Sequence, residues 1–287
     1  MARERWIAAL SASVVACAGA SSVASAATQT AVAPQANTFV TGFGRNLLAF
    51  GRVHQMIYDQ STLTIPVGSK ITGVAWRMSD NGTTPYPLVN EDFFRLDIWM
   101  STATRPAAAM SGTFDDNEGL DRVKARGGFY RLPAGSMPRA TTGPAPFGGV
   151  IAFTTPFIYK GGPLCMTIRS TSPVPAVSNA TENNFDGTIA SGSAGKRALD
   201  DPDSVSGGNV GALVSLYLYR LPCPADLNSD DLVDDADFGV FVVAYDLLSC
   251  SEPSMPAGCP SDLNNDGAVD DADFSIFAVA YDTLLCP

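Results

Sequence analysis

Hydrophobic and polar residues alternate with two different periods along this chain, and the change falls near residue 222. Upstream, short runs alternate or are rich in β-branched and aromatic residues: Arg52-Val-His-Gln-Met-Ile-Tyr58, Lys70-Ile-Thr-Gly-Val-Ala-Trp-Arg-Met78 and Phe93-Phe-Arg-Leu-Asp-Ile-Trp-Met100. Gly149-Val-Ile-Ala-Phe153, Leu164-Cys-Met-Thr-Ile-Arg169 and Gly211-Ala-Leu-Val-Ser-Leu-Tyr-Leu-Tyr219 continue the series. A period of two belongs to a strand with one face inward, and the Gly, Pro, Asn and Asp clusters between the runs supply turns. No long helical period interrupts them. Residues 43–221 are therefore expected to form a mainly β domain, an antiparallel β-sandwich or jelly-roll-like fold, and about 180 residues suffice for one such core. Residues 27–42, rich in Ala, Thr and Gln, are expected to be disordered.

Downstream the apolar residues recur at helical spacing: Phe238, Phe241, Val242, Tyr245 and Leu248, then Phe274, Phe277, Ala278, Tyr281 and Leu285. One short helix cannot bury such a stripe alone. Two related by a pseudo-two-fold can pack on each other around a small aromatic core, which predicts a separate all-α unit over residues 222–287.

Each helix follows a copy of the same segment. Cys223-Pro-Ala-Asp-Leu-Asn-Ser-Asp-Asp-Leu-Val-Asp-Asp-Ala-Asp-Phe238 returns as Cys259-Pro-Ser-Asp-Leu-Asn-Asn-Asp-Gly-Ala-Val-Asp-Asp-Ala-Asp-Phe274. A calcium ion takes six to eight oxygens at about 2.3–2.6 Å, which a twelve-residue loop supplies from positions 1, 3, 5, 7, 9 and 12. Those positions hold Asp226, Asn228, Asp230, Leu232 (through its carbonyl), Asp234 and Asp237 in the first copy. The second copy holds Asp262, Asn264, Asp266, Ala268, Asp270 and Asp273. Position 6 needs a positive φ, which suits Gly267; Asp231 replaces glycine in the first loop at a cost of roughly 1 kcal/mol, so the second loop is expected to be the tighter site. Position 12 is Asp where the usual helix-loop-helix hand has Glu, and Cys-Pro directly before each loop leaves no room for an entering helix. The unit is an EF-hand-like loop followed by one helix. Ordinary acidic turns resemble a single such loop; two copies at fixed spacing with every ligand position filled point to two calcium ions.

Charge points the same way. Residues 223–287 contain 13 Asp, one Glu and no Lys or Arg, a formal charge of −14 against −11 for the whole chain, so residues 1–222 carry +3. Carboxylates at this density repel unless a cation sits among them, and the tail is expected to fold poorly without calcium.

The paired Asp-x-Asn-x-Asp loops with trailing helices resemble type I dockerin modules, in particular the Cys-bracketed, dockerin-like C-terminal tags of bacterial surface proteins. The resemblance covers residues 223–287. It implies calcium ligands at the positions above and contacts to a cohesin-like partner along the helices and at loop positions 10 and 11, which are Asp235-Ala236 and Asp271-Ala272. Asp235 and Asp271 stand where a small hydroxylated residue is usual, and the helices lack the Lys or Arg that often assists cohesin binding, so sorting to the cell surface is an alternative use of the tag. Upstream, Gln55-x-x-Tyr58-Asp59, Ile71-Thr-Gly-Val-Ala-Trp-Arg77, Ser101-Thr-Ala103, Phe114-Asp-Asp-Asn117 and Pro156-Phe-Ile-Tyr159 resemble a domain of bacterial secreted proteins that carry interchangeable C-terminal anchors. No activity comes with that family.

Of six cysteines, four bracket the repeats and allow three pairings, all compatible with a two-fold. A helix of about 12 residues is ~18 Å long, which separates Cys250 from Cys223, whereas a bridge needs Cα atoms within about 7 Å. Antiparallel helices favour Cys223–Cys286 as a clasp and Cys250–Cys259 across the linker. Cys165, in a strand pattern, is expected to be a buried free thiol. Residues 1–26 read as a secretory signal, with Arg3 and Arg5, an apolar stretch and Ala24-Ser-Ala26; a lipobox reading of Val14-Val-Ala-Cys17 is the alternative. No later stretch is long enough for a transmembrane helix. The expected location is extracellular and associated with the cell surface.

Catalytic signals are sparse. The single histidine, His54, lies in a strand pattern, and nucleophile-elbow, His-Glu-x-x-His and zinc spacings are absent. Glu91, Asp92 and Asp97 are a candidate glycosidase carboxylate set, with two acids near a strand as the commonplace reading. Asp115-Asp-Asn-Glu-Gly-Leu-Asp121 reads as a polar turn, or else as a further calcium loop. Tyr86, Trp76 and Trp99 are aromatic candidates for stacking on sugar. Basic residues are scattered, without a nucleic-acid footprint. The leading expectation is a non-catalytic secreted β-sandwich anchored by its tail to a cohesin-like or cell-surface partner; the alternative is a carbohydrate-binding or polysaccharide-degrading module delivered by the same tag.

Overall fold

In this computed structural model residues 27–39, 43–46, 48, 50–79, 82–175, 184–228 and 230–283 are described. The expected signal segment 1–26, Cys17, Leu285 and Cys286 lie outside them. In chain order the strands are β1 (Gln29–Ala33), β2 (Phe43–Asn46), β3 (Arg52–Tyr58), β4 (Lys70–Trp76) and β5 (Glu91–Phe93). They continue with β6 (Leu96–Thr102), β7 (Val123–Arg126), β8 (Tyr130–Leu132), β9 (Ile151–Ile158) and β10 (Leu164–Ser170). The last are β11 (Asn184–Thr188), β12 (Ser193–Leu199), β13 (Gly208–Val210), β14 (Ala212–Leu213) and β15 (Ser215–Arg220), followed by helices α1 (Asp235–Tyr245) and α2 (Asp271–Thr283).

The chain is mainly β, as its alternation predicts. A four-stranded sheet has the order β1-β15-β4-β9 and a six-stranded sheet the order β13-β12-β3-β10-β6-β7; their pairings are antiparallel. Met56, Tyr58, Ile98, Met100, Met166 and Ile168 from the larger sheet share one core cluster with Ile71, Val74, Trp76, Phe157 and Tyr217 from the smaller, the arrangement of a sandwich. The Tyr58 and Tyr217 rings meet edge to face at 6.2 Å. Their polar neighbours are satisfied inside the core: the Tyr58 hydroxyl donates to the Leu213 carbonyl at 2.7 Å, and Trp76 Nε1 donates to Ser215 Oγ at 3.0 Å.

All of β3 is buried because residues 103–121 cover its second face. Ile57 and Cys165 pack there with Ala103, Ala107 and Met110. Gln55 donates to the Phe114 carbonyl and to Thr167 Oγ1, and accepts from Asn117 Nδ2; Asp59 accepts from the Ala107 N–H. The Gln55-x-x-Tyr58-Asp59 motif thus fastens loops to a strand. Burial pushes the Cys165 thiol far up from its usual pKa, and thiolate is the reactive form. Native protein is expected to leave Cys165 unmodified by iodoacetamide at neutral pH, with labelling only in denaturant; fast native labelling would contradict this burial.

Residues 27–39 depart from the disorder expected of them. Gln29–Ala33 forms β1 and pairs along β15 from Tyr219 to Ser215, with Ala31 and Ala33 buried. Small side chains at alternate positions let this strand lie flat on the core, and pairing satisfies the edge of β15. Just beyond it, Arg77 Nη1 and Nη2 donate to the carbonyls of Thr38 and Asn37, while Arg77 Nε meets Asp186 at 2.7 Å with both side chains buried. Composition alone hides a strand whose stability comes from the partner edge.

The tail has its own core, in which Val233, Val269, Phe241, Ala244 and Phe277 are buried. Phe241 and Phe277 stack at 5.1 Å across the two helices. Leu248, assigned to the first helical stripe, lies past the end of α1 with a φ of 62° and is exposed. The chain leaves the helix there because its backbone pairs with the second loop: Val269 N donates to the Leu248 carbonyl and Cys250 N to that of Gly267. Cys250–Cys259 is a disulfide, as the linker geometry predicts, with Cα atoms 5.4 Å apart.

Candidate metal centre

The two repeats fold into loops with matching hydrogen bonds. In the first, Asp226 Oδ1 accepts from Asp230 N at 3.0 Å, Asp226 Oδ2 from Asp231 N at 3.0 Å, and Asp230 Oδ1 from Leu232 N at 2.9 Å. In the second, Asp262 Oδ1 accepts from Asp266 N at 3.1 Å, Asp262 Oδ2 from Gly267 N at 2.9 Å, and Asp266 Oδ1 from Ala268 N at 2.9 Å. Asn228 and Asn264 each bridge to the aspartate two residues on, through Oδ1 to its N–H and through Nδ2 to its carboxylate. Aspartate and asparagine close such turns on their own backbone readily, which is why the short repeat dictates the loop.

The last aspartate of each loop is the pivot. Asp237 is fully buried and accepts from Leu227 N, Asn228 N and Asp234 N at 2.7, 3.0 and 3.0 Å. Asp273, equally buried, accepts from Leu263 N, Asn264 N and Asp270 N at 2.8, 3.0 and 3.0 Å. Asp234 caps α1 in a reciprocal box with Asp237, and Asp270 accepts from Ala272 N at 2.8 Å. One carboxylate therefore ties the start of the loop to the start of the helix.

This geometry brings Asp226, Asp230 and Asp237 together with one oxygen each within 4.8 Å of the others, and does the same for Asp262, Asp266 and Asp273. Three anionic oxygens so close repel strongly when no cation lies between them, and an all-oxygen donor set suits a hard divalent ion. Asn228 and Asn264 border these groups through their bonds to Asp230 and Asp266. Cys250 and Cys259 also approach Asp262, but their sulfurs are spent in the disulfide.

The residues assigned to partner contact have an internal role that sequence spacing did not show. Tyr245 of α1 donates its hydroxyl to Asp271 Oδ1 at 2.6 Å, and Tyr281 of α2 donates to Asp235 Oδ1. These crossed bonds hold both phenols above their usual pKa and staple each helix to the N-terminus of the other. Asp235 and Asp271 remain exposed, as does Ala272. Beside them Phe238, Phe241, Val242, Tyr245 and Phe274 line an apolar cleft of about 270 Å³.

The sandwich reaches the first loop. Lys70 Nζ lies 3.1 Å from Asp226 Oδ2 and 2.9 Å from Asp231 Oδ1, and Arg220 Nη1 contacts Asp231 Oδ2. Burial alone would lower the Lys70 pKa; its hydrogen bonds to Asp231 and Asp226 outweigh that and hold it above the usual amine value.

Candidate catalytic groups are tied up in structure. Asp92 is bidentate with Arg131, which holds its carboxyl below the usual range. For Asp97 burial works upward, yet hydrogen bonds from Gly128 N, Arg95 and Lys124 prevail and hold it down. A glycosidase acid needs the opposite shift. Glu91 accepts from the Tyr86 hydroxyl at 2.6 Å. In the 115–121 turn, Asp121 accepts from Thr102 N and Oγ1, Asp116 from Ser111 Oγ. Trp76 and Tyr86 are buried, and the Trp99 face carries Arg122 at 4.1 Å and Lys124 at 4.9 Å. Among the described residues no helix is long and apolar enough to cross a membrane. No protein-family model and no curated protein matches this chain.

Proposed function

We propose that this is a non-catalytic secreted protein: a β-sandwich held at the cell surface, or in an extracellular complex, by a dockerin-like tail that binds two calcium ions. The duplicated triad of carboxylates carries the reading. Two loops that differ at several positions in sequence converge on the same hydrogen bonds and the same clustering of three aspartate oxygens, and only the loop as a whole needs that repetition. The apolar cleft between α1 and α2, edged by Asp271, offers a face for a cohesin-like or surface anchor. Delivery of a carbohydrate-directed module is the weaker alternative, because the acidic candidates on the sandwich are buried or ion-paired, Trp76 and Tyr86 are buried, and the half-buried Trp99 ring is covered by Arg122 and Lys124.

Calcium at about a hundred times its dissociation constant stabilises a protein that binds it only when folded by about 2.7 kcal/mol per site. The far-UV signal of the helices in the full chain is expected to gain strength and melt at higher temperature in calcium, to fall back in EGTA, and to respond far less to magnesium, which dehydrates reluctantly and demands octahedral geometry. A helical signal indifferent to EGTA would remove the calcium reading.

A further inference from the structure

The two loops agree hydrogen bond for hydrogen bond and diverge at position 6. Gly267 has a φ of 92° and open space around it. Its counterpart Asp231 adopts a φ of 72°, a conformation that a side chain disfavours, and this side chain is met by Lys70 and Arg220. Those two cations are cross-strand partners, one opening β4 and the other closing β15. Lys70 also contacts Asp226 Oδ2, whose side chain is only 2% exposed, where solvent and salt screen little. The second loop has no such neighbour: Asp262 accepts from the N–H groups of Asp266 and Gly267, and no Lys or Arg among the described residues pairs with Asp262, Asp266, Asp270 or Asp273.

We propose that Lys70 and Arg220 are resident counter-ions of the first loop, which dock it on the end of the β4–β15 strand pair and lower its calcium affinity below that of the second loop. Asp231 is then a docking residue. An ammonium at hydrogen-bond distance from Asp226 draws charge from a position-1 carboxylate and repels an incoming dication. Linkage makes the effect reciprocal: whatever Lys70 takes from calcium affinity at this loop, calcium takes from docking. The second loop is left as the metal site that answers to calcium alone. The affinity half of the proposal rests on the calcium reading; the docking half does not.

Two measurements on the full chain separate these halves. In calcium-free buffer, acetic anhydride footprinting by mass spectrometry reads Lys70 directly. Lys70 is expected to be protected in the wild type and to react several-fold faster in Asp231→Gly, a change that keeps every ligand position and suits the positive φ. Equal and fast reactivity in the two proteins overturns docking; equal and slow reactivity, with Lys70 still held by Asp226, overturns Asp231 as the docking residue. Calorimetric calcium titration of wild type and Lys70→Met then reads affinity: the weaker site is expected to tighten about tenfold, within the range typical of coupled sites, while the tighter site stays unchanged. Two sites with an unchanged weaker constant overturn the antagonism alone. No calcium binding at either loop of the wild type overturns the calcium reading and the affinity half with it, with footprinting still deciding the docking half.

Discussion

Asp273→Ala is expected to abolish the cooperative melting of the tail in calcium-containing buffer, with a loss of about 3–5 kcal/mol. The carboxylate is fully buried and accepts three backbone N–H groups, from Leu263, Asn264 and Asp270. Truncation orphans all three, at about 1–3 kcal/mol for each buried donor left unsatisfied. It also removes one of the three oxygens gathered with Asp262 and Asp266. The six buried apolar residues that cluster among the described residues of the tail make a core too small to absorb such a loss. Asp237→Ala has the same effect on the first loop, where the same three bonds run to Leu227, Asn228 and Asp234. Asp246→Ala serves as the control, since that residue follows α1 and belongs to neither acceptor set. Thermal unfolding followed by far-UV circular dichroism separates the outcomes: a tail that melts alike in wild type and Asp273→Ala would sink both the pivot role and the calcium proposal.

The tail was legible because a short repeat encodes its structure locally. Asx turns, N-caps and the position-12 acceptor all act within twelve residues, so spacing alone places Asp226, Asp230 and Asp237 together, and Asp262, Asp266 and Asp273 with them. What spacing cannot carry is contact between distant segments. The bonds from Tyr245 to Asp271 and from Tyr281 to Asp235 depend on how α1 meets α2, and the Lys70 contact depends on a strand far upstream. Asp231 shows the difference well: from sequence it is a poor substitute for glycine, whereas in the fold its carboxylate has two cations to meet. In the β region alternation marks the strands but cannot say that residues 103–121 cover the outer face of β3, or that an Ala/Thr/Gln segment completes a sheet as β1. Both are decided by an edge or a face that the rest of the chain leaves open.

The second large effect is expected at one of those long-range contacts. Asp186→Ala should destabilise the β domain by about 3–5 kcal/mol, the usual cost of breaking a buried ion pair by removing one partner. Arg77 and Asp186 side chains are 2% and 0% exposed, with Arg77 Nε to Asp186 Oδ2 at 2.7 Å. The guanidinium also donates to the Asn37 and Thr38 carbonyls and lies 5.1 Å from the Phe147 ring centre, so it is held in place and cannot swing out to water when its carboxylate is lost. The damage should therefore spread to the N-terminal segment, with faster hydrogen exchange along β1 as well as a lower denaturant midpoint. Arg77→Met with Asp186→Leu removes both charges and is expected to recover much of the loss, because desolvating two ions offsets most of what their attraction returns. A double variant as unstable as the sum of its parts would show that the pair is worth more than its desolvation cost. Recovery would mark it instead as a device of register: it ties the end of β4 to β11 and to the turn after β1, and so fixes which edge of β15 the first strand must take.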